Sequence, residues 1–252
     1  MIDLHSHVLP GIDDGPKAIE GSLAIARVAL ESGTETLLAT PHVSTRYPND
    51  ADTIAGLIEQ VRECLSEEGI ALELQAGAEI AITRIADIDP TELHALSLGD
   101  GPWLLIEPPF TPVASGIDSV VHDLLHHGHR VLLAHPERCP AFHRDPEMLA
   151  SLVREGVLTS LTAGSLTGQF GSEARHFAMH LLESELAHNV ASDAHDHLRR
   201  PPTMGEALRH IGPPALGEWL TQEVPAAILA GEEIPSRPVA AARRRGLFGR
   251  RH

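Results

Sequence analysis

Histidines and carboxylates close six segments of this chain, most of them short and apolar. The first segment ends in His5-Ser6-His7, and a late one ends in Asp193-Ala194-His195. Residues i and i+2 of an extended strand point to the same face, so each pair can hold one cation from the end of a single strand. The other four segments end in His42, Glu79, Glu107 and His135. If these ends meet, the pattern predicts the multi-metal site of a hydrolase.

The apolar segments themselves predict seven buried strands that alternate with helices. Such alternation is typical of parallel strands joined by helical crossovers. The predicted strands lie near residues 2–5, 35–41, 72–78, 103–107, 130–134, 157–161 and 189–192. The predicted helices cover residues 18–31, 51–68, 116–127, 145–155, 172–185, 203–211 and 215–230.

Two α/β architectures fit this alternation, an open doubly wound sheet and a closed barrel. An open sheet collects its site at one switch point and uses few strands. A barrel collects residues from every strand at its C-terminal rim. Since candidate ligands follow at least six of the seven strands, the sequence favours the barrel.

The length and charge of the chain restrict its function. A chain of 252 residues with 42% hydrophobic residues fits one large domain. Its formal charge of −16 argues against general nucleic-acid binding, which needs a basic surface. From residue 236 onward there are six arginines and no acid, so the rest carries −16 − 6 = −22. We predict a domain over 1–234 and a basic, disordered tail over 235–252, which either aids solubility or contacts anionic lipid or a membrane-bound acidic partner.

The cysteines and the hydropathy pattern indicate a soluble cytoplasmic protein. Two cysteines, Cys64 and Cys139, are too few for a disulfide framework. No signal peptide precedes His5, and no apolar run approaches the roughly 20 residues that span a bilayer. Cysteine-dependent tyrosine phosphatases need Cys-x5-Arg, whereas Arg144 follows Cys139 one position too early, so we reject a cysteine mechanism. Cys64 is interpreted as a packing residue of a helix.

Taken in order, the motifs resemble the PHP (polymerase and histidinol phosphatase) superfamily of metal-dependent phosphoesterases, over residues 1 to about 230. Within it they are most similar to the bacterial manganese-dependent protein-tyrosine phosphatases of capsule and exopolysaccharide synthesis. The motifs are Ile-Asp-Leu-His5-Ser-His7, Gly-Ile-Asp13-Asp14-Gly-Pro, Ala-Thr-Pro-His42, Ala-Gly-Ala-Glu79, Ala-His135-Pro-Glu-Arg138, Ala-Ser-Asp193-Ala-His195 and Arg200-Pro-Pro-Thr-Met.

The resemblance implies a distorted (β/α)7 barrel with three metal ions at its rim. The implied ligands are His5, His7, Glu79 and Asp193 for the first ion, Glu79, Glu107 and His135 for the second, and Asp14, His42 and His195 for the third. Asp13 is an alternative to Asp14. Arg138 and Arg200 match arginines that grip the phosphate. One departure is Thr162, which stands where relatives often have Asn. Threonine is shorter and has no side-chain amide, so any polar contact that the Asn amide makes in relatives is in doubt here.

Nitrogen and oxygen ligands without thiolates suit manganese, iron or zinc, and the resemblance makes manganese the expected metal. Three divalent ions carry +6 and the four carboxylates −4, which leaves about +2 for binding a phosphate dianion. The predicted reaction is hydrolysis by a metal-activated water. A histidine (His42 or His195) or a water at the third ion is the candidate for protonating the leaving group.

Three functions remain open at the level of sequence. The first is a phosphatase for a phosphotyrosine protein, expected to be a tyrosine kinase of polysaccharide synthesis, with Arg46 and Tyr47 as candidate peptide contacts. The second is a phosphatase for histidinol phosphate or another small phosphomonoester. The third is a metal-stabilised binding module without catalysis, against which the complete ligand set argues.

Overall fold

A computed structural model describes residues 1–99, 101–112 and 116–238, and shows an α/β fold with parallel strands. One sheet has the order β1-β2-β4 and the other the order β3-β5-β6-β7-β8-β9, and every pairing within them is parallel. The strands are β1 (Ile2–Ser6), β2 (Thr36–Ala39), β3 (His42–Val43), β4 (Glu73–Ala76), β5 (Glu79–Ala81), β6 (Trp103–Glu107), β7 (Arg130–Ala134), β8 (Leu158–Thr162) and β9 (Asn189–Ala191).

Two of the predicted strands, 35–41 and 72–78, form as the shorter β2 and β4, and each is followed by a short strand, β3 or β5, that the sequence did not predict. Pro41 separates β2 from β3, and proline has no N–H to donate to a sheet. Gly77 separates β4 from β5, and a Cβ there would lie 2.9 Å from Leu98 Cδ2 and 3.1 Å from Thr40 Cγ2. The breaks transfer the chain to the second sheet, where His42 and Glu79 become direct neighbours in register.

The two sheets meet where β1 ends beside the chain that follows β9. Ser6 and Ala194 form a parallel bridge, and His7 N–H donates to Ala194 O over 2.8 Å. The buried carboxylate of Asp3 supports this junction, since its Oδ1 accepts from Ser192 N–H over 2.9 Å. The junction places the His5-Ser6-His7 segment beside the Asp193-Ala194-His195 segment.

The core consists of aliphatic side chains on both faces of the central strands. The runs Leu104-Leu105-Ile106 of β6 and Val131-Leu132-Leu133 of β7 have no exposed surface. Continuous apolar runs of this kind are expected for parallel strands that are covered on both faces.

The predicted helices form, with ends that differ from prediction by one to a few residues. They are α1 (Ile19–Glu31), α2 (Ala51–Glu67), α4 (Ile117–His126), α6 (Pro146–Arg154), α8 (Gly171–Glu183), α9 (Gly205–Ile211) and a last stretch made of α10 (Pro214–Glu218), a π-helical turn (Trp219–Glu223) and α11 (Val224–Ala230). The sequence did not predict α3 (Pro90–Ala95), α5 (Pro140–Arg144), α7 (Ala163–Thr167) or the 3-10 turns Ile82–Asp87 and Pro136–Arg138. These are too short for an apolar period of 3.6 residues to show.

The described chain packs against the domain through residue 238, beyond the predicted boundary at 234. Pro235 O accepts from Trp219 Nε1–H over 2.9 Å. The Arg237 guanidinium donates to Ala187 O over 2.8 Å and to Leu182 O over 2.9 Å. The rest of the predicted basic tail, 239–252, lies outside the described residues. Among the helices that are described, none has the length and apolar character to cross a membrane.

Candidate metal centre

All nine predicted metal ligands come together, most of them at or just beyond the C-terminal ends of strands, whereas His42 and Glu79 begin β3 and β5 and Asp14 lies in a loop. Four groups of three or four residues place one nitrogen or oxygen atom each within 4.8 Å of one another. The groups are His7, Asp14, His42 and His195; His5, His7 and Asp193; His5, Glu79 and His135; and His42, Glu79 and Glu107. Because four residues belong to two groups each, the predicted division into three ligand sets stays a prediction.

Strand β1 delivers two imidazoles to the centre, as the i, i+2 spacing requires. The Nε2 atoms of His5 and His7 lie 3.3 Å apart, and both side chains are buried. Asp193 approaches from the chain after β9, with Oδ1 at 3.7 Å from His5 Nε2 and 3.6 Å from His7 Nε2. The first predicted ligand pair thus faces the last across the junction of the two sheets.

Glu79 occupies the middle of the cluster. Its Oε2 lies 2.9 Å from His42 Nδ1, 3.3 Å from His7 Nε2 and 3.4 Å from His5 Nε2. Its Oε1 lies 2.7 Å from His135 Nε2. Burial opposes ionisation, but the surrounding histidines hold the pKa of Glu79 well below its usual range. A charged carboxylate with imidazoles beside both of its oxygens is placed as a ligand shared by two cations would be.

The two neighbouring aspartates, Asp13 and Asp14, have different roles. Asp13 Oδ2 accepts from His7 Nδ1 over 2.7 Å and from His42 N–H over 3.1 Å, and its Oδ1 accepts from Gly15 N–H over 2.9 Å. Asp14 Oδ1 instead faces ring nitrogens, 3.3 Å from His195 Nε2 and 3.5 Å from His42 Nε2. Asp14 is therefore the better candidate ligand, and Asp13 orients His7.

The carboxylates and histidines of the cluster shift one another's pKa values. Burial lowers the pKa of His7, but the hydrogen bond to Asp13 and the nearby carboxylate of Glu79 outweigh burial and raise it to about 10. The bond from His195 holds the pKa of Asp14 below its usual range. Burial and the neighbouring charge of Glu79 raise the pKa of Glu107 to about 7. The carboxylates together create a site that favours added positive charge.

Two of the candidate ligands sit in the left-handed backbone region, which is uncommon for residues other than glycine. His135 has φ of 33° and Asp193 has φ of 53°. Such conformations cost of order 1–3 kcal/mol and persist where the surrounding structure enforces them. His135 directly follows β7, and Asp193 follows β9 after one intervening residue, Ser192. The turn after each strand therefore directs the side chain into the cluster.

The two predicted phosphate-binding arginines flank the cluster and both contact Asp193. Arg138 and Asp193 Oδ2 form an ion pair, and Arg200 Nη2 lies 2.7 Å from the same oxygen. Two residues that the sequence did not single out, Glu137 and Phe170, support these arginines. Glu137 is buried, and its Oε1 accepts from Thr162 N–H over 3.0 Å and from Ser165 Oγ over 2.6 Å, which fixes the turn carrying His135 and Arg138. Thr162, which stands where relatives often have Asn, thus contacts Glu137 through its backbone N–H rather than its side chain.

Phe170 is the second missed residue, with its ring centroid 4.5 Å from Arg138 Cζ and 5.5 Å from Arg200 Cζ. It follows the short helix α7, and no apolar period marks it. Tyr47, which the sequence proposed as a peptide contact, stacks on His42 with ring centroids 5.5 Å apart, and Arg46 lies over the Tyr47 ring at 5.1 Å.

The cysteines take no part in the centre. Cys139 is buried, its Sγ donates to Pro109 O over 3.4 Å, and burial raises the pKa of the thiol. A nucleophilic cysteine needs a lowered pKa, so the rejection of a cysteine mechanism agrees with the structure. Cys64 is half-buried in α2 and packs against the core.

The donor set fits divalent cations. Glu79 Oε2 is buried and has no hydrogen-bond partner, although three imidazole nitrogens lie within 3.4 Å of it. Asp13 accepts from Nδ1 of His7, so Nε2 is the nitrogen of that ring that faces the cluster and would bind a cation. Several imidazole nitrogens that converge on one buried carboxylate are the donor set that a multi-metal site offers.

The fold and this centre define a class, the metal-dependent hydrolases whose ligands come from the ends of parallel strands. Residues 1–224 match the model of the family described as "Capsular polysaccharide synthesis, CpsB/CapC". The chain belongs to that family.

Individual relatives agree with this assignment. The chain is similar to the tyrosine-protein phosphatase YwqE of Bacillus subtilis, with 34% identity over 252 residues that cover 99% of each chain. It is 30% identical over 213 residues to the tyrosine-protein phosphatase CpsB of Streptococcus pneumoniae, covering 82% of this chain and 88% of the relative. A crystal structure from work on YwqE and CpsB, described as unique metal-dependent tyrosine phosphatases, superposes with a TM-score of 0.82 at 31% identity, covering 96% of this chain and all of that chain.

Proposed function

We propose that this chain is a metal-dependent tyrosine-protein phosphatase and that its nine clustered ligands hold three divalent cations, with manganese as the expected metal. The single observation that carries the proposal is the convergence of all nine predicted ligands beside two arginines. The phosphatase relatives, which cover nearly the whole chain, support the same reaction. We also propose that the two sheets form the distorted (β/α)7 barrel of the PHP superfamily, supported by the bridge between Ser6 and Ala194.

The cations, when bound, lower the pKa of water and neutralise phosphate charge. The residues of the chain perform the remaining tasks. Arg138 and Arg200 present planar guanidinium groups that match phosphate oxygens in a bidentate manner. Asp193, which both arginines contact, holds these groups at the edge of the cluster before the phosphate binds. Electrostatic stabilisation of the equatorial phosphate oxygens is then the main contribution of the two arginines.

A phenolate is a comparatively good leaving group, so a strong dedicated acid is not required. His42 and His195 stay the candidates for protonating it, since both lie at the side of the cluster that includes Asp14. We propose that the natural substrate is a phosphotyrosine protein, with a tyrosine kinase of capsule or exopolysaccharide synthesis as the expected partner. The cytoplasmic location expected from the sequence stays a prediction.

Purified protein loaded with Mn²⁺ should hydrolyse para-nitrophenyl phosphate and a phosphotyrosine peptide. His135→Ala should abolish turnover with the fold retained, because His135 Nε2 contacts Glu79 at the middle of the cluster. His122→Ala is the matched control, since His122 pairs with Glu155 on the surface, away from the cluster. Equal turnover by His135→Ala and His122→Ala would contradict the proposal. A many-fold preference for histidinol phosphate would replace the proposed substrate with a small phosphomonoester.

A further inference from the structure

Two phenylalanine rings surround the arginine side of the metal centre. Phe110, in the loop after β6, stacks over His135 with ring centroids 5.5 Å apart and an interplanar angle of 22°. The same ring lies 5.4 Å from Arg138 Cζ. The ring of Phe170 also contacts Arg138, with its centroid 4.5 Å from Cζ. The Arg138 guanidinium therefore contacts two aromatic rings.

The two rings differ in how firmly they are held. Phe170 is half-buried and packs on Gly164, where a Cβ would lie 2.8 Å from Phe170 Cε2. Phe170 also lies under Arg200, so it serves as a support for both guanidinium groups. Phe110 is 49% exposed, which is uncommon for a large apolar side chain in direct contact with a candidate ligand and an arginine. Its exposed face is available to a bound molecule.

A cavity of about 600 Å³ opens beside these rings and is lined by Phe110, Arg138, Pro140, Arg144 and Phe170, among others. Arg138 lines this cavity and pairs with Asp193 of the metal centre, so the cavity lies beside the cluster. A phosphate held by Arg138 would direct its ester group out of the cluster. The ring of Phe110, which contacts both Arg138 and His135, offers an apolar surface to that group.

We propose that Phe110 and Phe170 form an aromatic wall that binds the aryl group of the substrate and selects aryl over alkyl phosphomonoesters. This inference rests on the proposed function, since it assigns the part of the same site that distinguishes phosphotyrosine from aliphatic phosphates. Phe110 is the specificity-determining residue, because its exposed ring can pair with the aryl ring of the substrate. Phe170 supports Arg138 and Arg200 and forms the far side of the wall.

The test compares phenyl phosphate with glycerol phosphate in the Mn²⁺-loaded full chain. Aromatic pairs contribute about 0.5–1.5 kcal/mol beyond area burial, so Phe110→Leu should lower kcat/KM for phenyl phosphate about 2–10-fold. Turnover of glycerol phosphate should stay within about twofold, and the aryl-to-alkyl ratio should fall accordingly. Phe110→Tyr keeps the ring and should retain the ratio of the parent. Leu198→Ala, which trims an equally apolar side chain that is 77% exposed near Arg200, is the matched control and should leave the ratio unchanged.

A purely protective role for Phe110, such as shielding His135 from water, would lower turnover of both substrates equally and overturn the inference, as would an unchanged ratio. Binding of phenylphosphonate and propylphosphonate by calorimetry gives a readout that does not depend on turnover. We expect the preference for phenylphosphonate to shrink in Phe110→Leu and to persist in Phe110→Tyr. If the parent protein binds the phosphonates with the expected preference but hydrolyses neither ester, the proposed function fails while the aromatic wall stands.

Discussion

The hydrogen bond between Asp13 and His7 gives the sharpest prediction about how the chain tunes its metal centre. Asp13 Oδ2 accepts from His7 Nδ1 over 2.7 Å and also from the backbone N–H of His42. In Asp13→Asn the amide oxygen can take the place of Oδ2 and accept from His7 and His42, but the NH₂ group then faces the N–H of Gly15. The N–H of Gly15 loses its acceptor, and the His7 ring loses the carboxylate that fixes its tautomer and raises its basicity.

Loss of such a supporting carboxylate typically costs 10–100-fold in metal affinity, or about 1.4–2.8 kcal/mol. We therefore expect Asp13→Asn to weaken the tightest Mn²⁺ binding by about that factor, measured by calorimetric titration of metal-free protein. At saturating Mn²⁺ the variant should recover most of its kcat, because Asp13 does not contact the substrate. Asp50→Asn makes the same chemical change at an exposed helix cap, where Asp50 Oδ1 accepts from Thr53 N–H, and serves as the control. Unchanged Mn²⁺ affinity in Asp13→Asn would refute the reasoning, and so would a kcat that excess metal cannot restore.

Three further predictions concern residues outside the ligand set. Glu137→Ala should lower the free energy of unfolding by about 1–3 kcal/mol and reduce kcat, because Thr162 N–H and Ser165 Oγ lose their acceptor; Glu137→Gln should retain most of both in urea titrations and phosphatase assays. Cys139→Ser should keep kcat within about twofold, since the buried thiol contacts Pro109 O rather than the cluster, and complete inactivation would revive a cysteine mechanism. Burial and Arg237 lower the pKa of His188 to about 4. Between about pH 6.5 and 4, His188 is therefore protonated in the unfolded chain but not in the folded one. The free energy of unfolding should fall as the pH falls through that window. Urea titrations should show about 3 kcal/mol less pH-dependent loss in His188→Gln than in the parent, and parallel profiles would contradict this prediction.

The candidate ligands could be found from the sequence because their signal is local. A buried β-strand is short and apolar, so a histidine or carboxylate at its end stands out, and the i, i+2 spacing of His5 and His7 identifies a shared face. The parallel strands that these segments predict are present, and their pairing explains why the ends meet.

Other features depend on contacts between distant segments and left no such signal. The breaks at Pro41 and Gly77 move His42 and Glu79 into a second sheet, and only the close approach of Leu98 to Gly77 shows why. The separate roles of Asp13 and Asp14 depend on which way each side chain turns, which adjacency in sequence cannot tell. Phe170 contacts Arg138 and Arg200, both about 30 residues away, and Glu137 contacts Ser165 across 28 residues.

The central claim, that the nine clustered side chains form a centre for three cations, is tested most directly by counting metal. Metal-free protein dialysed against Mn²⁺ and freed of excess should contain three manganese ions per chain by elemental analysis. Glu79→Gln should lower that number, because Glu79 contacts histidines of several groups at once. A chain that retains no divalent metal, or whose metal content is unaffected by Glu79→Gln, would contradict the account.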